Sequence, residues 1–172
     1  MPAGKRAGSA DLLAIQNSSS LRPMVRLVQQ ISQSLSSDVD TAITFTSGSE
    51  DYDLAGWHDV ATNTSRVTPT VPGYIRLFGT VWFAADTDDI SIYASLGKNG
   101  TIVQRNRIVL PSTATASAFR SVTVTCGQAC NGTTDFFELF GRQLQATPGT
   151  LSTNVAAGGF SSTLEVDFQR GS

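Results

Sequence analysis

The chain has 172 residues, a length that suits one domain plus a tail, and only 15% of them are charged, with a formal net charge of −2. No global positive field is available to draw in nucleic acid or an anionic membrane, and no run of eighteen apolar residues is present to span a bilayer. With one histidine and two cysteines, the chain also falls short of a four-ligand zinc site, and the N-terminal Lys5 and Arg6 are not followed by the apolar stretch of a secretory signal.

Residues 1–23 read as an arm. Met1 to Gly8 is small and flexible in composition, and Ser9 is a candidate cap for one helical turn carrying Leu12, Leu13 and Ile15. A polar stretch, Asn17 to Ser20, and then Arg22-Pro23 follow. Short isolated helices are marginal, so such a segment is expected to order only against a partner.

From Met24 onward the hydrophobic period is two. Val25, Leu27, Gln29, Ile31, Gln33 and Leu35 predict one long first strand, and Ile43 and Phe45 mark one face of a second. Gly48 to Asn63 reads as a loop containing an acidic cluster, Glu50, Asp51 and Asp53. Pro72-Gly73 then opens the strongest strand, Tyr74 to Phe83. Its Ile75, Leu77, Val81 and Phe83 share one face and Tyr74, Phe78 and Trp82 the other. Large side chains on both faces predict that one face is core and the other meets a second layer or another chain.

After the polar Asp86-Thr87-Asp88-Asp89 turn, Ile90 to Leu96 is a strand, Asn99-Gly100 signals a hairpin, and Ile102 to Leu110 runs back. Phe119 to Val124 alternates again, Gly127 to Thr134 reads as a turn, and Asp135 to Leu144 is a further strand. Pro148-Gly149 and Gly158-Gly159 bracket a loop, and Ser162 to Gln169 closes the chain with Leu164, Val166 and Phe168 on one face. Eight to ten short strands with regular turns and no helix predict an all-β antiparallel sandwich of the jelly-roll kind.

The order of motifs carries a family likeness. Ile43-Thr44-Phe45 precedes the acidic loop with Gly56-Trp57-His58; Asn63 to Thr68 follows; Pro72-Gly73-Tyr74 opens the long strand; Lys98-Asn99-Gly100 and Asp135 to Leu139 come in turn. Residues 24–172 resemble the jelly roll of the tumour necrosis factor and complement globular-head superfamily, especially the forms found on bacteriophage virions as capsid cement proteins and fibre tips. That resemblance implies a ten-stranded jelly roll and a homotrimer about a three-fold axis. It makes 24–172 the trimerisation domain and 1–23 an extended anchoring arm.

The aromatic residues Tyr74, Phe78, Trp82, Phe137 and Phe140 are the expected trimer interface, since aromatics dominate interface centres, although each alone fits a core role equally well. Leu12, Leu13, Ile15 and Arg22 are the expected contacts of the arm with a virion shell built from a major capsid protein. An alternative role keeps the fold but binds a host surface glycan or protein from a tail tip, using Trp57, His58 and the acidic loop as a ledge. Against it, the chain has no heptads or collagen-like repeat to form a fibre shaft.

Catalysis is not expected: His58 stands alone in a loop, no nucleophile elbow is present, and the resemblance implies that this stretch packs against the barrel. The two acidic loops read as solvated turns rather than metal sites, and no cofactor is expected. Cys126 and Cys130 either close a small disulfide across a turn or remain thiols, the reduced form being favoured in the cytosol where the chain would be made. The Asn-x-Ser/Thr matches at Asn17, Asn63, Asn99 and Asn131 read as accidents of a Ser/Thr-rich composition.

Overall fold

Alternation in the long strand organises the molecule. The computed structural model describes residues 23–110, 119–155 and 160–171. Within them the chain is all β, with the strands β1 (Met24–Val28), β2 (Ser34–Ser36), β3 (Thr41–Ala42), β4 (Glu50–Asp53), β5 (Arg66–Val67), β6 (Gly73–Phe83), β7 (Asp89–Lys98), β8 (Thr101–Val109), β9 (Arg120–Cys130), β10 (Phe137–Gln145), β11 (Thr150–Ser152) and β12 (Thr163–Gly171).

Two antiparallel sheets face each other. The first has the order β4-β1-β12-β6-β9; the second has β3-β10-β7-β8, with β5 also on β10. A small pair, β2 with β11, joins them at one side. The first strand lies beside the last, Met24 opposite Asp167, and the Phe168 N–H donates to Pro23 O. The β6 start, Gly73, is in register with both Gly171 and Cys130, so the described N- and C-terminal ends emerge together at the end of the sandwich that carries Asn131.

The inner face of β6 is the one the pattern predicts: Ile75, Leu77, Val81 and Phe83 are all fully buried. They meet Leu96 and Ile92 of β7, Leu139 of β10, and Val25, Leu27, Leu164 and Val166 of their own sheet in one core. Gly79 sets the spacing between the sheets. A Cβ built there would lie 2.4 Å from Leu139 Cδ1 and 3.2 Å from Leu96 Cδ2, so the two sheets close to a distance that admits no side chain at this position. The Asn99-Gly100 turn joins β7 to β8 with φ of 53° and 77°, the left-handed pair that matches strand twist in a two-residue hairpin.

Several local expectations give way. The alternating run from Val25 to Leu35 is two strands: the chain leaves the first sheet after Val28, Ile31 is exposed, and Leu35 re-enters the core on β2. Part of the predicted loop from Gly48 forms β4, which pairs with the edge of β1, Val25 opposite Asp53 and Arg26 opposite Tyr52, and carries the exposed Arg26–Asp51 ion pair. The predicted turn from Gly127 begins four residues later, at Asn131, since β9 continues to Cys130 along the full length of β6.

That continuation removes the disulfide. Cys126 and Cys130 are free and lie four residues apart on one strand. Strand rise separates them by about 13 Å, whereas a disulfide requires Cα atoms within about 7 Å. Cys126 is half-buried opposite Leu77; Cys130 is buried and its thiol donates to Val71 O at 3.3 Å. Burial pushes both thiols up from their ordinary pKa.

Candidate interaction face and the hollow beside Trp57

The outward face of the first sheet carries the most distinctive surface. Strand periodicity sends Tyr74, Arg76, Phe78, Thr80 and Trp82 of β6 to that side. Tyr74 is 42% exposed, and its ring lies across Gly127 of β9, where a Cβ would sit 2.0 Å from the phenol oxygen. Phe78 lies between Glu165 of β12 and Thr125 of β9, with the Arg76 guanidinium 4.3 Å above its ring. Trp82 meets Phe160 edge-on at 4.9 Å between ring centroids, and Phe160 stacks with Phe119 at 6.1 Å. Phe119 and Phe160 are themselves 50% and 41% exposed. The result is an aromatic ridge running the length of β6.

One flank of the ridge is ionic. Glu165 and Asp167 project beside it from β12, and Arg26 pairs with Asp51 across β1 and β4. Burial, joined by the charge of Glu165, pushes the Tyr52 phenol on β4 up from its ordinary pKa. The other flank is neutral: Ser121, Thr123 and Thr125 of β9, with the Thr80 and Thr123 hydroxyls 3.0 Å apart.

The five aromatic residues singled out in the sequence are therefore divided. Tyr74, Phe78 and Trp82 form the ridge. Phe137 does not: it is fully buried in the core of the chain itself and has no surface to offer a partner. Phe140 points outward from the second sheet, where it covers Gly97, whose Cβ would lie 2.6 Å from its ring. The sequence does not single out Phe119 and Phe160, because Phe119 opens one alternating run and Phe160 precedes another, and only the fold brings them to Trp82. Leu12, Leu13, Ile15 and Arg22, with the rest of the arm to residue 22, lie outside the described residues.

The opposite outer face is polar. Tyr93 of β7 is ringed by the guanidinium groups of Arg105, Arg107 and Arg142, at 5.8, 5.3 and 5.2 Å from its centroid. Arg105 is paired with Asp40 at 2.6 Å and Arg142 with Asp38, so most of that charge is neutralised in place.

The Trp57–His58 segment does not form a ledge. Trp57 is 2% exposed, and its indole N–H donates to Thr70 Oγ1 at 3.1 Å. His58 is also buried. Its Nδ1 lies 2.9 Å from Arg66 O and its Nε2 2.9 Å from Phe45 O, so whichever nitrogen carries the proton points it at a backbone carbonyl. Its backbone N–H donates to Asp53 Oδ2. The ring thus ties the loop after β4 to the strands beneath it and is not placed to serve as an exposed base. Next to it is a hollow of about 250 Å³ whose wall includes Asp59, Thr62, Asn63, Arg66, Thr68 and Thr70. Hydrogen bonds from the Thr62 hydroxyl, then from the Ala61 and Thr62 amides, hold the Asp59 carboxyl below its ordinary pKa.

Four carboxylates of the two acidic segments have structural partners: Asp86 accepts from the Asp88 N–H and from Gln145 Nε2, Asp88 accepts from the Thr147 N–H, Asp53 accepts from the Ala55 and His58 N–H groups, and Asp51 pairs with Arg26. Among the described residues, no group of three or more His, Cys, Asp or Glu side chains is gathered to hold a metal ion.

No protein-family model matches the chain, and no curated protein matches its sequence. Solved structures do match its shape. Murine APRIL at pH 5.0 superposes with a TM-score of 0.60 at 12% identity, covering 87% of this chain and 100% of that one. Eiger TNF from S. frugiperda gives 0.61 at 12% identity, covering 88% and 96%. A second murine APRIL structure, at pH 8.5, gives 0.58 at 14% identity. At these identities the likeness is one of fold, and the fold of this chain is the tumour necrosis factor jelly roll.

Proposed function

We propose that the protein is a non-enzymatic assembly protein, a homotrimer that decorates a phage capsid and stabilises it. The observation that carries the reading is the aromatic ridge of Tyr74, Phe78, Trp82, Phe119 and Phe160 on an outer sheet face. A row of outward aromatic side chains on one sheet face, with Tyr74, Phe119 and Phe160 each 41–50% exposed, is a surface suited to be covered by a partner. A second copy is the assigned partner, because the same sequence that presents the ridge resembles the trimeric jelly rolls of virions in its order of motifs. The arm, residues 1–23, would bind the major capsid protein through Leu12, Leu13, Ile15 and Arg22. Three arms on one trimer multiply weak contacts through effective concentration. A protein that binds only the assembled lattice shifts the equilibrium towards assembly, which is how it would cement a shell without chemistry.

Reconstruction of the native particle tests this directly. Three-fold density over the major capsid protein, lost from particles carrying a chain deleted for residues 1–22, is the expected result. Unchanged occupancy after that deletion would remove the anchoring role. A tail-tip adhesin that binds a host glycan is the second reading, favoured by the polar hollow beside Trp57. Its mark would be specific glycan-array binding that is lost on Arg66→Ala and retained in the arm deletion.

A further inference from the structure

Two Asn-Gly dipeptides far apart in sequence, Asn99-Gly100 and Asn131-Gly132, meet at one carboxylate. Asn99 Nδ2 donates to Asp135 Oδ1 at 2.8 Å, and the Asn131 backbone N–H donates to Asp135 Oδ2 at 2.9 Å. Lys98 Nζ lies 2.9 Å from the same Oδ2. Asn-Gly is the dipeptide most open to deamidation, since glycine puts no Cβ in the way of the attacking nitrogen. Both asparagines are exposed to solvent.

In the reaction, the backbone nitrogen of the glycine bonds to the asparagine Cγ. The Cγ–Nδ2 bond breaks, and the glycine amide proton leaves with the departing ammonia. Water then opens the succinimide at either carbonyl to give aspartate or isoaspartate, so the net change is one water consumed and one ammonia released. The asparagine side chain must turn towards the glycine for the first bond to form. At Asn99 that turn breaks the bond to Asp135 and the one in which Oδ1 accepts the Phe136 N–H at 2.9 Å. At Asn131 it breaks more: Oδ1 accepts from the Thr133, Thr134 and Asp135 N–H groups, each at 3.0 Å, and Nδ2 donates to Thr134 Oγ1 at 2.8 Å.

We propose that these two turns are one coupled deamidation site governed by Asp135, in which Asn99 reacts first and its product releases Asn131. Conversion of Asn99 replaces a donor by a carboxylate oxygen against Asp135 Oδ1. Two like charges at that distance repel, Asp135 is displaced, and the Asn131 N–H loses its acceptor. The coupling runs one way, because the Asn131 side chain meets Asp135 only by accepting its N–H, which an aspartate oxygen at 131 can still accept, and the bond to the Asp135 carboxylate comes from the Asn131 backbone.

The test follows isoaspartate and aspartate formation by peptide mapping of the intact protein aged at neutral pH. Wild type, Asp135→Asn, Asn99→Asp and Asn131→Asp are compared with free peptides of the same local sequence. Near-ultraviolet circular dichroism establishes that each variant is folded. Wild type should react at both turns about tenfold or more slowly than the peptides, with Asn99 ahead, as the loss of one charge-assisted hydrogen bond implies. Asp135→Asn should accelerate both turns, and Asn99→Asp should accelerate Asn131, whereas Asn131→Asp should leave Asn99 at its wild-type rate. Asn99 reacting at the free-peptide rate in the folded wild type would overturn the protection. Asn131 keeping its wild-type rate in Asn99→Asp would overturn the coupling, and this holds even if Asp135→Asn does not fold.

Discussion

Replacing Tyr74 and Phe160 by serine should dissociate the proposed trimer while leaving each chain folded. The pair is chosen because both rings are largely outside the core, 42% and 41% exposed, and they mark the two ends of the ridge. An aromatic side chain presents roughly 200 Å², so each ring holds about 80 Å² still in water that an interface can cover. At about 25 cal/mol per Å², each substitution removes about 2 kcal/mol from one subunit contact, close to a thirtyfold change in its dissociation constant. The rings are separated by most of the strand, so their losses should add, giving roughly a thousandfold per contact. A closed ring of three repeats that loss at every contact. Sedimentation equilibrium over a range of concentrations reads the effect as a trimer that becomes a monomer, with unchanged far-ultraviolet circular dichroism. If both proteins show the same mass at every concentration, the ridge is not the interface and the outward aromatics need another occupant.

Gly79→Ala should destabilise the protomer by about 1–2 kcal/mol in urea titrations, because the new methyl collides with Leu139, which is itself fully buried; an unchanged midpoint would mean that the sheets can separate there at no cost. His58→Ala should cost about 3 kcal/mol, from the one ring hydrogen bond lost, the carbonyl of Phe45 or Arg66 that it leaves short of a donor and the cavity that the buried ring vacates, and a loss of assembly or function at unchanged stability would contradict its structural role. Reductant should not alter the melting temperature, and a thiol reagent should label Cys130 only as the protein unfolds, since the cysteines are unpaired and Cys130 is buried. The Lys98 and Asn99 hydrogen bonds hold the Asp135 carboxyl below the ordinary carboxylate value. A depressed folded-state pKa gives stability that is present above the unfolded value, near 3.9, and is lost as pH falls through the folded one. The stability difference between wild type and Asp135→Asn should therefore be full at neutral pH and shrink towards zero in acid; a difference independent of pH would assign it to shape and not to charge.

What the sequence discloses follows from where one side chain suffices to decide. The Ile75, Leu77, Val81, Phe83 face is legible because every second residue is apolar and the strand is long enough to average out exceptions. The same alternation misleads from Val25 to Leu35, where Ile31 continues the period but lies outside the core and the chain changes sheets. The β2–β11 pair joins three residues to three across more than a hundred positions, and no local period announces such a ladder. Phe137 shows a different limit. Alternation assigns it a face but cannot say which face is inward, and its partner on that face, Leu139, is what settles it. For the interaction face, β6 supplies three residues in view of the sequence, whereas Phe119 and Phe160 join them only through the antiparallel return of the chain.

The adjacency of β1 and β12 has a consequence for engineering. With Met24 opposite Asp167 and both described ends leaving from one pole, a short linker could join them and close the chain into a ring. Cutting that ring at the turn between β10 and β11 would yield a circular permutant with every strand ladder intact. Cargo joined directly to Pro23 or to Gly171 would leave from a single pole. The opposite pole, with the Asp86 to Asp88 turn, would stay bare for grafted epitopes.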